Sequence, residues 1–355
     1  MKVHIIGAGP AGSIAAISAV RNGYDVLVSE DHNSAGEPAN CSGLLSRDGL
    51  QSLSGFVDYR KSVINRIHGA DIHLVDQKMC IRKNMPVGFV CDRSVLDKEL
   101  AANAEHEGAR MIYGEKVTKD FRSTNIIGAD GPLSAVARHF SMGSINSYAT
   151  TLQALVTYRS ENPHIVEVFL SNRMFPGFFG WVIPHNEETA EFGAGVLLPN
   201  NVQHAWEHLF RLKQMDAAKP RGWTIPLEVR SRTAIKKGKY NVLLAGDAAG
   251  QVKSTTGGGV VFGGNCAALA GRFAGNPLRY DLEWKMRFGP DLAIHHLIHN
   301  YLSSQPEAGL VALGRRLKKL NCDEYLSNHG HMDRPTRMVG PQIVKHVLKN
   351  IAGVS

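Results

Sequence analysis

The residues with the clearest chemical potential lie in the first thirty positions, MKVHIIGAGPAGSIAAISAVRNGYDVLVSE. Gly7, Gly9 and Gly12 form a G-x-G-x-x-G turn between an apolar, β-branched run (Val3 to Ile6) and an alanine-rich stretch from Pro10 to about Asn22. Each glycine is needed for a different reason. Gly7 permits the tight turn, Gly9 lets backbone approach a pyrophosphate, and Gly12 lets helix and strand pack closely. Free N–H groups and the helix dipole at the start of the following helix favour the anion. Glu30 closes the next apolar run, at the distance where an acid accepts hydrogen bonds from a ribose 2′-hydroxyl. An acid there opposes a 2′-phosphate, so FAD or NAD fits better than NADP.

A second candidate is Asp247, in Leu243-Leu244-Ala245-Gly246-Asp247-Ala248-Ala249-Gly250. It follows a strand-like run and precedes a helix, so its carboxylate can bond a cofactor hydroxyl or cap the helix. Gly257-Gly258-Gly259 opens another small-residue helix at Val260, again offering N–H groups to negative charge. Cys41 stands alone in the polar loop 31–43 that leaves the Glu30 strand. Phe179 and Trp181 alternate on one strand and can face one apolar cavity. His295 and His299 have i, i+4 spacing but no evident third ligand, so no metal site is expected.

The elements that must position these groups follow from periodicity. Asp25 to Ser29, Arg110 to Tyr113, Asn125 to Gly128 and Asn241 to Leu244 read as short buried strands, and SVLDKELAANAEHEG as a helix with Val95, Leu96, Leu100 and Ala104 on one face. Residues 64 to 90 read as hairpins. From Tyr148 to about Thr233, runs such as TLQALVTY, IVEVFLS and AEFGAGVLL alternate with turns and predict a largely antiparallel sheet. Residues 280 to 355 read as helical, including an amphipathic stretch from Pro341 to Ile351. The fold class is therefore α/β. An FAD-type Rossmann domain is expected over 1–62, 91–147 and 234–279, a β-sheet substrate domain over 63–90 and 148–233, and a helical region over 280–355.

Bulk properties narrow the class. The chain has 355 residues, is 43% hydrophobic and 20% charged, and lacks an apolar run long enough to span a bilayer. Its N-terminus is a strand broken by Gly7 rather than a leader core, which predicts a cytoplasmic protein. Five cysteines without a C-x-x-C pair read as reduced thiols. The net charge of +8 falls partly after residue 276, where Arg315, Arg316, Lys318 and Lys319 cluster. Such a cluster suits a solvated face or anionic lipid headgroups, giving peripheral contact with the inner membrane face. No recognition motif for nucleic acid accompanies it.

Three segments in order, GAGPAG…E, GADGPLSAVAR at 128–138 and LLAGDAAGQVKSTTGGG at 243–259, resemble the flavoprotein hydroxylase superfamily, the p-hydroxybenzoate hydroxylase-like branch of the glutathione-reductase fold. Pro38-Ala39-Asn40-Cys41-Ser42-Gly43 and Phe179-Gly180-Trp181-Val182-Ile183-Pro184 are similar to the P-x-x-C-[GAS]-G and Y-x-W-x-F-P segments of geranylgeranyl reductases. The resemblance extends over residues 1 to about 275. It implies non-covalent FAD, held at Gly7, Gly9, Ala11, Gly12, Glu30, Cys41, Ser42, Arg93, Val117, Asp247, Gly259 and Val260. It also implies reduction of isoprenoid double bonds in lipid biosynthesis, Asp130 as a buttress, Cys41 beside the flavin as a candidate proton donor, and Phe179 and Trp181 on the substrate side. With one dinucleotide fingerprint, the electron donor is left open between NADPH and ferredoxin. The competing expectations are a flavin-dependent aromatic monooxygenase or halogenase, since F-x-W-x-I-P is also similar to the halogenases' W-x-W-x-I-P, and a non-catalytic lipid-binding flavoprotein.

Overall fold

The computed structural model describes residues 1–38 and 41–338. The expected helix at 341–351, and Ala39 and Asn40 of the cysteine loop, lie outside the described residues.

A six-stranded sheet carries the N-terminal motif. Its order is β15 (Ala234–Lys237), β16 (Tyr240–Leu244), β9 (Asn125–Gly128), β1 (Lys2–Ile6), β2 (Asp25–Ser29), β8 (Arg110–Ile112), parallel except for the β15–β16 pair. Helices α1 (Pro10–Arg21), α3 (Arg93–Glu107) and α6 (Val260–Arg272) pack around it. Small residues set the spacing between α1 and α6. A Cβ on Gly271 would come within 2.2 Å of the Ala15 carbonyl oxygen and 2.8 Å of the Ala19 nitrogen. These helices meet backbone to backbone, which is why their sequences are poor in large side chains. In α3, Asp92 caps the N-terminus and Gly108 ends the helix in the left-handed region; Leu96, Leu100 and Ala104 are buried. Val95 is not on that face: it is exposed, and Asp97 takes the inward position to pair with Arg93.

The second sheet has seven strands, in the order β14 (Arg221–Pro226), β10 (Tyr148–Thr157), β13 (Thr189–Leu197), β12 (Gly180–Pro184), β11 (Ile165–Leu170), β5 (Gly69–Leu74), β6 (Gln77–Arg82). It is antiparallel except where β11 runs parallel to β5. Helix α5 (Val202–Leu212) covers one face, burying Trp206, Leu209 and Phe210 against Phe192. The other face looks toward the first sheet. Strands β4 (Val63–Ile67) and β7 (Gly88–Cys91) do not join this sheet but pair with β3 (Leu44–Ser46) in a separate three-stranded sheet. Short helices α2 (Arg47–Ser52) and α4 (Ala135–Phe140) complete the region, capped by Ser46 and Ser134.

Helix α7 (Pro277–Ser304) spans both large sheets. Tyr280 Oη donates to the Leu244 carbonyl at one end (2.5 Å), and at the other Asn172 donates to the Leu302 carbonyl (2.8 Å). Helices α8 (Glu307–Lys319) and α9 (Cys322–His329) then lie against the β5–β6 edge, with Gly314 over Gln77 and Leu74. Among the described residues, no helix is long and apolar enough to cross a membrane.

Candidate functional site

Between the two large sheets lies a cleft of about 910 Å³. Its upper wall is built by the ends of the parallel strands. Gly7 sits at φ +100°, where a side chain would strike the Ala129 carbonyl oxygen at 2.4 Å. A Cβ on Gly9 would meet nothing within 4 Å, so this glycine leaves open space at the N-terminus of α1. Glu30 is buried at the end of β2. Its Oε2 accepts from the Ala8 N–H (2.6 Å) and its Oε1 from the His32 N–H (3.0 Å). His32 Nδ1 also lies 2.6 Å from Oε1, so Glu30 fixes the glycine turn and the following loop as well as lining the cleft, and a carboxylate retains acceptor capacity beyond three bonds. Ala11 and Val117 line the same wall. Asp130 accepts from Ser134 Oγ and from the N–H groups of Ala135 and Val136, so it caps α4 and braces the wall.

Asp247 is half-buried in the cleft and its carboxylate has no hydrogen-bond partner among the described residues. Burial pushes its pKa up to about 6, opposed by the Arg93 guanidinium. A Cβ on Gly259 would come within 2.7 Å of Asp247 Oδ1, so the glycine run passes directly over this carboxylate. Gly259 and Val260 start α6 and border the cleft. Arg93 makes a two-pronged pair with Asp97 (2.9 and 2.8 Å). Burial would depress the guanidinium's pKa, but Asp97 and Cys41 outweigh it and hold it above the ordinary value. Cys41 and Ser42 border the cleft, Cys41 beside Arg93, and the Gly43 N–H points at Cys41 Sγ (3.5 Å).

The lower wall is the uncovered face of the seven-stranded sheet. Phe178, Phe179 and Trp181 line it, with ring centroids 4.3 Å and 5.5 Å apart along the series. Phe179 immediately precedes β12, yet its carbonyl still accepts from the Gly195 N–H (3.0 Å), extending the ladder. The wall depends on two glycines of β13. A Cβ on Gly193 would lie 1.9 Å from the Trp181 ring, and one on Gly195 2.4 Å from the Phe178 ring. The indole Nε1 reaches Glu191 at 3.4 Å.

Several site residues are not apparent from sequence periodicity. Lys253 is buried in the glycine-rich loop, and its Nζ bonds Asp333 Oδ1 at 2.6 Å while its backbone N–H donates to the Gly258 carbonyl (3.2 Å). Asp333 also accepts from Ser46 Oγ. The chain after α9 is therefore tied into the cleft wall. Thr255 bonds His295 Nδ1 at 2.7 Å, and His299 packs against Phe178. All five cysteines are free thiols.

These features fit the FAD that the sequence resemblance implies. An open glycine cradle at a helix N-terminus suits the pyrophosphate. An unpartnered half-buried carboxylate beneath the glycine run suits a polyol chain. The N–H groups opening α6 suit a ring system that accumulates negative charge.

Comparison with known proteins agrees. Residues 2–130 match the family model for FAD dependent oxidoreductases. An uncharacterised protein of Methanocaldococcus jannaschii is 26% identical, covering 94% of this chain and 92% of its own length. Digeranylgeranylglycerophospholipid reductase 1 of Methanothermobacter thermautotrophicus is 28% identical over 77% of each chain. Among solved structures, a geranylgeranyl bacteriochlorophyll reductase-like protein of Thermoplasma acidophilum superposes with a TM-score of 0.77 at 21% identity, covering 99% of this chain and 95% of the other.

Proposed function

We propose that this chain is an FAD-dependent oxidoreductase of the geranylgeranyl reductase type that saturates double bonds in the isoprenoid chains of membrane lipids, a reading supported by the match of residues 2–130 to the FAD dependent oxidoreductase family and by the likeness to digeranylgeranylglycerophospholipid reductase 1. One observation carries the substrate class. The cleft wall facing the cofactor-binding loops is an apolar floor of aromatic and β-branched side chains, with Phe179, Trp181, Val168 and Ile72 among them. Such a floor suits a long hydrocarbon chain and excludes water from it.

Bound FAD, once reduced, supplies the hydride equivalent. The remaining work falls to the chain's own groups. Gly7, Gly9, Ala11, Gly12 and Glu30 hold the nucleotide end, Val117 packs beside it, and Asp247 with the start of α6 at Gly259 and Val260 holds the other end. Phe179 and Trp181 position the alkene. Cys41 Sγ gives the proton that completes addition across the double bond and recovers it from solvent. Ser42 and Arg93 contact the cofactor beside that loop, Arg93 being itself fixed by Asp97. Electrons arrive from NADPH or a ferredoxin, since the chain has one nucleotide-binding fingerprint. The basic C-terminal region rests on the inner membrane face, where the lipid resides.

The test is anaerobic turnover. Chemically reduced holoenzyme incubated with a geranylgeranyl lipid is expected to yield products heavier by successive pairs of hydrogens. Products that form only with oxygen and carry a hydroxyl or halogen overturn the proposal in favour of a monooxygenase or halogenase. A reducible flavin that turns over no prenyl compound overturns it in favour of a binding protein.

A further inference from the structure

The floor of the cleft is not apolar throughout. Backbone register aligns Arg221, Gln153, Gly193, Trp181, Val168 and Ile72 in one row across six adjacent strands. Residues directly opposite in a sheet share a face. From Gln153 to Ile72 the row crosses four strand spacings, about 19 Å. Its Ile72 end is hydrocarbon and its β14 end is polar.

Two groups at the polar end lack partners. The Gln153 side chain is only 6% exposed, and its Nε2 has no hydrogen-bond partner. A buried donor left unsatisfied is costly, and most such groups are paired in native proteins. Gln153 lines the cleft, so an acceptor within the cleft would satisfy it. Beside it, the exposed Arg221 guanidinium makes no hydrogen bond or ion pair among the described residues. Arg221 lines a recess that shares Glu37 and Pro38 with the cleft, so it stands at the rim. The acids nearby are otherwise engaged: Glu37 pairs with Lys98, Asp92 caps α3, and Glu191 bonds the Trp181 indole.

A fork-shaped cation and an amide donor at one end of an apolar track are the complement of an oxyanion at the end of a hydrocarbon chain. We propose that Arg221 and Gln153 form an oxyanion subsite that takes the phosphate of an isoprenoid phosphate ester or diphosphate. Gripping the phosphate at the rim makes the chain lie across Gly193 and Trp181 toward Ile72, so this pair decides which end of the substrate enters. The subsite rests on the isoprenoid reading above.

Binding to holoenzyme tests it apart from turnover. Geranylgeranyl diphosphate, digeranylgeranylglyceryl phosphate and geranylgeraniol are titrated by equilibrium dialysis, with FAD content checked in every variant. Wild type is expected to favour a phosphate-bearing compound over the alcohol by about ten- to hundredfold, the worth of hydrogen bonds to a charged group. Arg221→Ala and Gln153→Leu are expected to lose most of that margin while leaving the alcohol's Kd nearly unchanged. Arg221→Lys is expected to keep part of it, because an ammonium supplies charge without the fork. Preference for the diphosphate or for the lipid phosphate identifies the source of the oxyanion. A margin that survives both substitutions, or a wild type that binds the alcohol equally well, overturns the subsite alone. Failure of all three compounds to bind wild type overturns the isoprenoid reading with it.

Discussion

Glu191 holds a carboxyl in the sheet behind Trp181, where burial pushes its pKa up to about 7 against the opposing indole bond and Arg221. The ordinary value is 4.5, so between these pH values the folded chain keeps a proton that the unfolded chain releases. Its contribution to stability is therefore full below about 4.5 and is lost as pH rises through about 7. Glu191→Gln removes this dependence. Relative to wild type, the variant is expected to gain stability between pH 4.5 and pH 8, by roughly 3 kcal/mol on the scale of 1.4 kcal/mol per unit. Paired urea denaturation curves at the two pH values measure it, and a gap that does not change with pH removes Glu191 as the titrating group. His4, His295 and His299, each lowered to about 4 by burial, act in the opposite sense as pH falls below 6.5, but equally in both proteins. At Cys41 the expectation is chemical. Cys41→Ala should keep FAD and accept electrons yet reduce prenyl substrate about 10²–10⁴-fold more slowly, the usual worth of a general acid. Cys41→Ser should lose nearly as much. Single-turnover oxidation of the reduced enzyme by substrate measures this, and rates within a few-fold of wild type leave Cys41 as a loop residue only.

At the scale of elements, the contact that organises the cleft from outside is the buried pair Lys253–Asp333, which ties the segment after α9 to the glycine run before α6. Burial opposes ionisation of Asp333, but Lys253 and Ser46 outweigh it and hold the carboxyl below the usual range. Asp333→Ala leaves a buried ammonium unpaired, and such a loss costs about 3–5 kcal/mol. FAD affinity should fall with it, because Lys253 also fixes the Gly258 backbone. Replacing both partners by Met and Leu should recover most of the stability, since no charge is then stranded. Denaturation midpoints of the single and double variants decide this, and an Asp333→Ala protein as stable as wild type excludes the role. The sequence displays local rules well: the glycine turn, the Asp92 and Ser46 caps and the Gly108 stop each act within a few residues. It does not display Lys253–Asp333, whose partners are 80 residues apart. Nor does strand alternation reveal that Gln153 lines the cleft rather than facing solvent, because that depends on which sheet face α5 covers. Val95 misleads for a related reason: helical period places it on the edge of the apolar stripe, and the Arg93–Asp97 pair decides which edge turns inward.

For the whole molecule, the net charge of +8 combines with an uncovered apolar face on α7. Leu278, Leu282, Met286 and Leu297 are 80%, 50%, 63% and 66% exposed, at helical spacing along a helix of roughly 42 Å at 1.5 Å per residue. Leu302, near the C-terminal end of the same helix, lines the cleft. The cations of α7 are paired within the helix: Arg279 and Arg287 with Glu283, and Lys285 with Asp281. Arg315, Arg316, Lys318 and Lys319 form a basic cluster on α8. An exposed apolar helix face and a separate cluster of cations both suit a bilayer surface holding anionic lipid, because burial of Leu and Met adds to attraction between headgroups and Lys or Arg. The protein is therefore expected to pellet with vesicles of phosphatidylglycerol and not with phosphatidylcholine at about 0.1 M ionic strength, where the screening length is ~10 Å. Raising the salt should release much of it. Arg315→Glu with Arg316→Glu should abolish the preference for anionic vesicles, and Leu282→Asp with Met286→Asp should weaken binding without changing its salt dependence. Both double variants should still reduce a detergent-dispersed substrate, since neither pair lines the cleft. Equal pelleting with both vesicle types refutes the electrostatic part of this account. Unchanged binding by the α7 variant shows that its apolar face lies away from the membrane.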